Sequence, residues 1–271
     1  LLFVTVGALF FTESYTNTPN AAIKFQAPTT EHPFGTDEVG RDVLARSIYG
    51  GQISLMIAIT SVTISLIMGT VVGLVSGYFA GTPHAWIDSI LMRIVDALLA
   101  FPILILLLVL SPWVTKLTFT VNVLGRELGA SAVGVILLIG FTGWLGLSRI
   151  VRALVLSLKE REFVLAARTI GASDRRIIFS HILPNCIAPI VVSATLGIGG
   201  AIITESYLSY LGFGVQPPTA TWGNIIQRVR SSFDSAPWLW MFPGTLTVLT
   251  VLAINFIGDG LRDALDPRSQ R

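Results

Sequence analysis

Long apolar runs, separated by short polar segments, dominate this sequence. A helix needs roughly 20 apolar residues to cross a bilayer core about 30 Å thick. Backbone groups in lipid must be hydrogen-bonded internally, so the pattern predicts an all-α, polytopic membrane bundle of six transmembrane helices. The opening run, residues 1–12, is short, and we interpret it as the end of a truncated first helix rather than as a signal-peptide core. The other predicted spans are residues 53–79, 94–115, 128–148, 185–205 and 235–258.

Lys and Arg residues are concentrated between the fourth and fifth predicted spans. Six spans place eleven Lys and Arg residues on the same side of the membrane as that segment and seven on the opposite side. Six of the eleven fall between Arg152 and Arg176. Cytoplasmic loops are enriched in these residues. We therefore predict one transmembrane domain over residues 1–271, with an outer segment at 13–52, a cytoplasmic loop at 152–184 and cytoplasmic termini.

Two sets of glycines recur at every third or fourth position within predicted spans, so each set lies along one helix face. Small residues let membrane helices approach closely, and we expect helix packing from both sets. The sets are Gly69, Gly73 and Gly77, and Gly140, Gly143 and Gly146.

Composition agrees with a membrane protein and excludes several other classes. The 271 residues are 52% hydrophobic and 13% charged, against about 25% charged in an average soluble domain. A net charge of +2, without a basic run interleaved with aromatic residues, indicates no nucleic-acid partner. The single cysteine, Cys186, precludes an internal disulfide.

The sequence also lacks the common motifs of catalysis and cofactor binding. No Gly-rich loop leads to Lys-Ser or Lys-Thr, so the chain has no phosphate-binding loop for ATP. His32, His84 and His181 are too scattered to indicate a metal site, and there is no Gly-x-Ser-x-Gly elbow. We expect a non-catalytic chain without a cofactor of its own. Any energy source must be an ion gradient or another polypeptide.

The segment around Gly171 predicts a short amphipathic helix over residues 163–170, with Val164, Ala167 and Ile170 on one face. Gly171 suits the left-handed residue that ends such a helix. Ser173 or Asp174 can cap the next helix. Pro184 restricts the backbone just before the membrane entry, which is a structural role.

This segment resembles the EAA loop of ABC importer permeases. The likeness rests on two alanines, a glycine four residues later and an Ile-Leu-Pro at a fixed spacing, which begins at Ile182. Leu165 occupies the family's usual glutamate position, and Glu162 lies one helical turn earlier. The resemblance implies that a coupling helix docks into a cytoplasmic ATPase. The residues concerned are Glu162, Ala166, Ala167, Arg168, Gly171, Ala172, Ser173 and Asp174.

Further matches, in order along the chain, resemble the dipeptide, oligopeptide and nickel branch of these permeases. They cover residues 32–42 (HPFGTDEVGRD), 96–102 (DALLAFP), 194–224 and 255–268. The pattern is most similar to the second of two paired permeases.

The resemblance implies a multi-pass permease of a bacterial or archaeal cell membrane, embedded in its lipids and working by alternating access. Its implied partners are a homologous permease, two ATPases that bind ATP and Mg, and an extracytoplasmic substrate-binding protein. A di- or oligopeptide is the implied substrate, with nickel, glutathione or another peptide-like cargo as alternatives. The rival from another class is a secondary transporter driven by an ion gradient, for which matched interrupted helices are expected.

Two carboxylates within predicted spans have open interpretations. Glu205 is costly in lipid unless it faces a partner or water, so it either lines or gates the outer mouth of a pathway or pairs with a neighbouring helix. We expect Asp96 to have a structural role, pairing with Arg93 one turn earlier.

Near the outer surface, Asp37, Arg41 and Asp42 are predicted to form a short helix capped by Thr36 or Asp37. This helix either contacts the binding protein or acts as an outer gate, or it is a self-satisfied interfacial element.

Overall fold

A computed structural model describes residues 17–115, 119–123, 126–229 and 232–265. In these ranges the chain is mainly helical, with one two-stranded sheet. The elements are a 3-10 turn (Ala21–Ile23), α1 (Val43–Phe79), α2 (Ala85–Leu99), α3 (Ile103–Thr115), β1 (Thr120–Val123), β2 (Arg126–Gly129), α4 (Ala130–Leu158), α5 (Glu162–Thr169), α6 (Asp174–Arg176), a π-helical turn (Ile177–Ile182), α7 (Leu183–Tyr210), α8 (Trp222–Gln227) and α9 (Trp238–Leu265).

Four helical segments of the described residues are long and apolar enough to cross a membrane. They are α1, α4, the continuous segment Asp174–Tyr210 that ends with α7, and α9. The paired helices α2 and α3 make up to a fifth. The polytopic helical fold is therefore confirmed, whereas the predicted first span, residues 1–12, lies outside the described residues.

The predicted span at residues 94–115 consists of two helices that meet at an angle of 88°. Pro102 has no backbone N–H and disfavours a helical conformation in the residue before it. Helix α2 accordingly ends at Leu99, and α3 begins at Ile103. The antiparallel hairpin of β1 and β2 then leads to α4, with Thr120 opposite Gly129.

Contacts divide the chain into two compact units. The first contains residues 1–60, 107–139 and 198–255, as far as they are described, and the second contains residues 61–106, 140–197 and 256–271. In the first unit, Leu107, Leu138 and Leu208 form a buried apolar cluster. In the second, a larger buried cluster brings the end of α1 together with α4, α5 and the start of α7.

Within the second unit, α1 and α4 pack closely along the first predicted glycine stripe. A Cβ atom added to any of its three glycines would lie 2.6–2.9 Å from a side chain of α4, which is closer than real Cβ contacts. The stripe is therefore confirmed as a packing surface. The pairs are Gly69 with Leu147, Gly73 with Val151, and Gly77 with Val155.

The second glycine set packs only in part. Gly140 and Gly143 face α1, where the Ser65 hydroxyl donates a hydrogen bond of 2.9 Å to the Gly140 carbonyl. Gly146 faces open space.

Candidate functional site

Helix α5 packs against the rest of the second unit through one narrow face. Val164 and Ala167 are buried, and Val164 belongs to the apolar cluster that also contains Leu74, Tyr78 and Val155. The spacing of three residues between Val164 and Ala167 places both on one side of the helix. Helix α5 is thus fixed by apolar packing, although it has only eight residues.

The opposite face of α5 is open. Leu165 is 49% exposed, and Ala166 and Glu162 are also exposed. The expectation that Ile170 shares a face with Val164 is wrong, because Ile170 is 86% exposed. As the C-cap, with ψ of 7°, Ile170 leaves the helical path and turns away from the buried face.

Gly171 ends α5 as predicted. Its φ is +82°, in the left-handed region. Its N–H donates to the Arg168 carbonyl, and the Ala172 N–H donates to the Ala167 carbonyl. This pair of bonds is the Schellman arrangement, which requires a left-handed residue after the cap. A Cβ on Gly171 would meet nothing within 4 Å, so the requirement is conformational rather than steric.

Ser173 caps the following helix, as one of the two predicted alternatives. Its hydroxyl accepts a hydrogen bond of 3.5 Å from the Arg176 N–H. Asp174 instead accepts a hydrogen bond from the Tyr78 hydroxyl. The Arg168 guanidinium lies 5.4 Å from the centre of the Tyr78 ring. Pro184 is the second residue of α7, which directly follows the π-helical turn Ile177–Ile182.

Two polar contacts that tie α4 to neighbouring segments were not anticipated from the sequence. Arg152 binds Asp88 of α2 through two hydrogen bonds of 2.7 and 2.8 Å. Lys159 donates to the Ala80 carbonyl, just beyond the end of α1. The predicted pairing of Asp96 with Arg93 is wrong, since Asp96 bonds to Arg149 of α4.

The outer segment forms a cross-linked turn instead of the predicted short helix. Asp37 accepts hydrogen bonds from the backbone N–H groups of Val39 and Arg41 and from the Arg41 guanidinium. The Asp42 carboxylate accepts from the Ala45 N–H and lies 2.7 Å from His32. These internal bonds explain the structure of the segment. They favour the self-satisfied alternative over an open binding surface.

Glu205 is completely buried within the first unit. Its two carboxylate oxygens accept hydrogen bonds from the hydroxyls of Ser54 and Ser209, over 2.9 and 2.7 Å. Both bonds are internal to the unit. This geometry corresponds to the pairing alternative for Glu205 rather than to direct exposure to a pathway.

A cavity of about 510 Å³ lies in the second unit between α4, α7 and α9. Its wall is largely apolar, with Asn185, Ser193 and Arg262 as polar members. Among the described residues, no group of three His, Cys, Asp or Glu side chains is placed to hold a metal ion.

Comparisons with known proteins agree with this architecture. Residues 69–271 match the family model described as binding-protein-dependent transport system inner membrane component. A protein of Brucella suis biovar 1 named as a peptide permease is 46% identical over 246 residues, covering 90% of this chain and 76% of that protein. The dipeptide transport system permease protein DppC of Alkalihalophilus pseudofirmus is 41% identical, covering 99% and 82%.

A solved structure shows the same fold. It is an inward-facing form of the MetNI methionine ABC transporter, aligned with a TM-score of 0.61 at 21% identity over 83% of this chain and 96% of that one. The apolar helices, the family match and the curated relatives lead to one conclusion: the chain belongs to the inner-membrane components of binding-protein-dependent transport systems and is an ABC importer permease.

Proposed function

We propose that this permease moves di- or oligopeptides across the cell membrane and that α5 couples it to separate ATPase subunits. One observation carries the coupling role. Helix α5 is fixed by Val164 and Ala167 on one side, while Leu165 and Ile170 remain exposed on the other. A rigid, apolar projection of this kind supports docking into a groove of another protein.

The energetics favour a partner protein that covers the exposed face of α5. Burying a Leu or Ile side chain contributes roughly 1.5–3 kcal/mol relative to leaving it in water. Leu165 in place of the usual glutamate makes the projected face more apolar, and Glu162 supplies a carboxylate one turn away. We expect the contact with the ATPase to be mainly hydrophobic, with Ala166 allowing close approach. The end of α5 and the turn that follows it set the shape of the border of this surface. Their residues are Arg168, Gly171, Ala172, Ser173 and Asp174.

The partners follow from what the chain itself lacks. Without a phosphate-binding loop in the sequence, ATP and Mg are assigned to two cytoplasmic ATPase subunits. A homologous second permease completes the pathway, and an extracytoplasmic binding protein delivers the substrate. In this arrangement the loop at residues 152–184 and both termini are cytoplasmic, as the distribution of Lys and Arg favours.

Peptides are the cargo best supported by the relatives' names, ahead of nickel or glutathione. The cavity beside α7 is consistent with this choice. Ligand pockets typically measure about 300–1,000 Å³. Apolar walls suit variable side chains, and Asn185 and Arg262 offer polar partners for a peptide backbone and carboxylate.

The coupling role is tested by Ile170→Ser in the full complex, with Val121→Ser as the matched control. Both are exposed β-branched residues, but Val121 lies in β1. Loss of a docked isoleucine should weaken ATPase association about 10-fold or more, measured by co-purification and titration. Equal ATPase binding by both variants would refute the coupling role.

The transport role is tested in vesicles that contain the complete complex. ATP-dependent uptake of a labelled dipeptide, requiring the binding protein, is the expected result. Uptake by this chain alone, driven by an ion gradient, would support the secondary-transporter alternative instead.

A further inference from the structure

A cavity of about 480 Å³ lies in the second unit, where the membrane-length segment Asp174–Tyr210 begins. Arg175 and Phe179, like Arg176 and Ser180, are four residues apart, which places each pair on one side of a helix. The cavity therefore follows one face of the first turns of this segment. Its wall consists of Ser173, Arg175, Arg176, Phe179 and Ser180.

The two arginines of this wall have no partner for their charge among the described residues. The ion pairs of those residues include neither of them. Asp174, the adjacent carboxylate in the sequence, already accepts a hydrogen bond from the Tyr78 hydroxyl. Arg149 and Arg152 of α4, by contrast, each bind a carboxylate of α2. The cavity thus carries positive charge that the described part of the chain does not compensate.

The Ser180 hydroxyl adds a further free donor. A serine inside a helix commonly donates to the carbonyl four residues earlier, as Ser193 does to Pro189 over 2.8 Å. Within the described ranges, the Ser180 hydroxyl makes no hydrogen bond. A guanidinium has five N–H donors and no acceptor, and a hydroxyl can donate one more bond. Such a wall fits an anion that has several oxygens.

Phe179 and the place of the cavity in the fold favour a lipid as the source of that anion. Phe179 is 58% exposed, so the wall joins donors to an apolar surface, which suits an amphiphile better than a free inorganic anion. At 1.5 Å per residue, the 37 residues from Asp174 to Tyr210 extend over about 55 Å. This length exceeds the roughly 40–45 Å of a bilayer with its headgroups. The long arginine side chains at the start of the segment are therefore within reach of lipid phosphates.

We propose that this cavity binds the phosphate group of an anionic phospholipid, with Arg175 and Arg176 as its ligands and Phe179 against the apolar part of the lipid. Arginine holds a phosphate through two parallel N–H donors, and basic pockets at the membrane surface bind anionic headgroups. Occupation of the cavity fixes the start of the segment, directly after the Gly171 turn. The site depends on the membrane-crossing segment, and neither the cargo nor the coupling role of α5 enters the argument.

The test measures binding of fluorescently labelled phosphatidylglycerol, an anionic lipid, to the complete importer complex in detergent. Labelled phosphatidylcholine is the zwitterionic reference, and wild type should prefer phosphatidylglycerol. Arg175→Gln and Arg176→Gln together should weaken phosphatidylglycerol binding about tenfold and leave phosphatidylcholine binding unchanged. Arg93→Gln is the matched control and should keep the wild-type preference, because Arg93 of α2 is also exposed and has no ion pair among the described residues.

Several results would overturn the lipid site. An equal loss in the double variant and in Arg93→Gln would reveal only a general attraction to positive charge. Displacement of the labelled lipid by inorganic phosphate would identify a site for the free anion. Loss of ATPase association in the double variant, with lipid binding unchanged, would assign the two arginines to the ATPase contact. If the double variant does not assemble, Arg175→Gln and Phe179→Ser provide the same comparison singly, and wild-type binding in both refutes the proposal.

Discussion

The hydroxyl of Tyr78, at the end of α1, donates a hydrogen bond of 2.5 Å to the carboxylate of Asp174, at the start of α6. The same ring lies beneath the Arg168 guanidinium of α5. One tyrosine thus connects a membrane-length helix to both sides of the Gly171 turn. If α5 is the coupling helix, we expect its motion to reach α1 through this residue as well as through apolar packing.

Tyr78→Phe tests this connection. The variant keeps the ring beneath Arg168 and removes only the hydroxyl, so we expect a loss of about 0.5–1.5 kcal/mol in the docking of the turn. Uptake per ATP hydrolysed should fall by a few fold at nearly normal thermal stability. Tyr207→Phe, in an exposed part of α7, is the control and should behave as wild type. Normal coupling in Tyr78→Phe would show that the hydroxyl has no part in transmission.

Gly171→Val should uncouple ATP hydrolysis from uptake. A β-branched residue at positive φ costs roughly 1–3 kcal/mol, and the Schellman turn relaxes to avoid it. Gly81→Val is a matched control, because Gly81 also has positive φ and open space around it. Both variants should lose similar stability, but only Gly171→Val should raise ATP consumption per peptide. Gly171→Asn should be milder, since asparagine tolerates this conformation better.

Asp88→Ala should destabilise the second unit. It leaves the partly buried Arg152 without its two hydrogen bonds, at a cost of about 1–3 kcal/mol. The thermal midpoint in detergent should fall. Reversing the pair, with Asp88→Arg and Arg152→Asp together, should recover part of the loss. Recovery will be incomplete because the Ser76 hydroxyl also donates to Asp88. A double variant no more stable than Asp88→Ala would argue against the pairing.

Gly73→Val should disrupt the packing of α1 on α4. The new side chain would meet Val151 and the Ser148 carbonyl at distances that require one helix to shift. Overpacking of this kind costs about 1–3 kcal/mol. Gly146→Val, which faces open space in α4, should be nearly neutral. The thermal midpoints of the two variants, measured in the same detergent, provide the comparison.

Local signals in the sequence predicted part of the candidate site well. Gly171 and Ser173 have their expected roles because a helix end depends on backbone geometry within a few residues. The face of Ile170 was missed because the periodicity of α5 does not continue through its cap. The outer turn was missed because Asp37 and Arg41 are four apart, as in a helix, yet bond around a turn.

Contacts between residues that lie far apart in the sequence could not be predicted from local patterns. Asp88 and Arg152 are 64 residues apart, and no pattern in the sequence pairs one charge with the other. The glycine stripe of α1 was predictable as a close approach, but its partner helix was not. Likewise, Glu205 was recognised as an unusual residue, whereas its serine partners at positions 54 and 209 became identifiable only in the fold.

The open space around Gly171 has a stereochemical consequence. The turn excludes a side chain by handedness and not by lack of room, because the left-handed region is unfavourable to L-residues but natural to their mirror images. A D-alanine introduced at this position by chemical synthesis of the segment should therefore adopt this backbone conformation without strain and stiffen the turn. The end of α5 would then depend on the chirality of a single Cα atom.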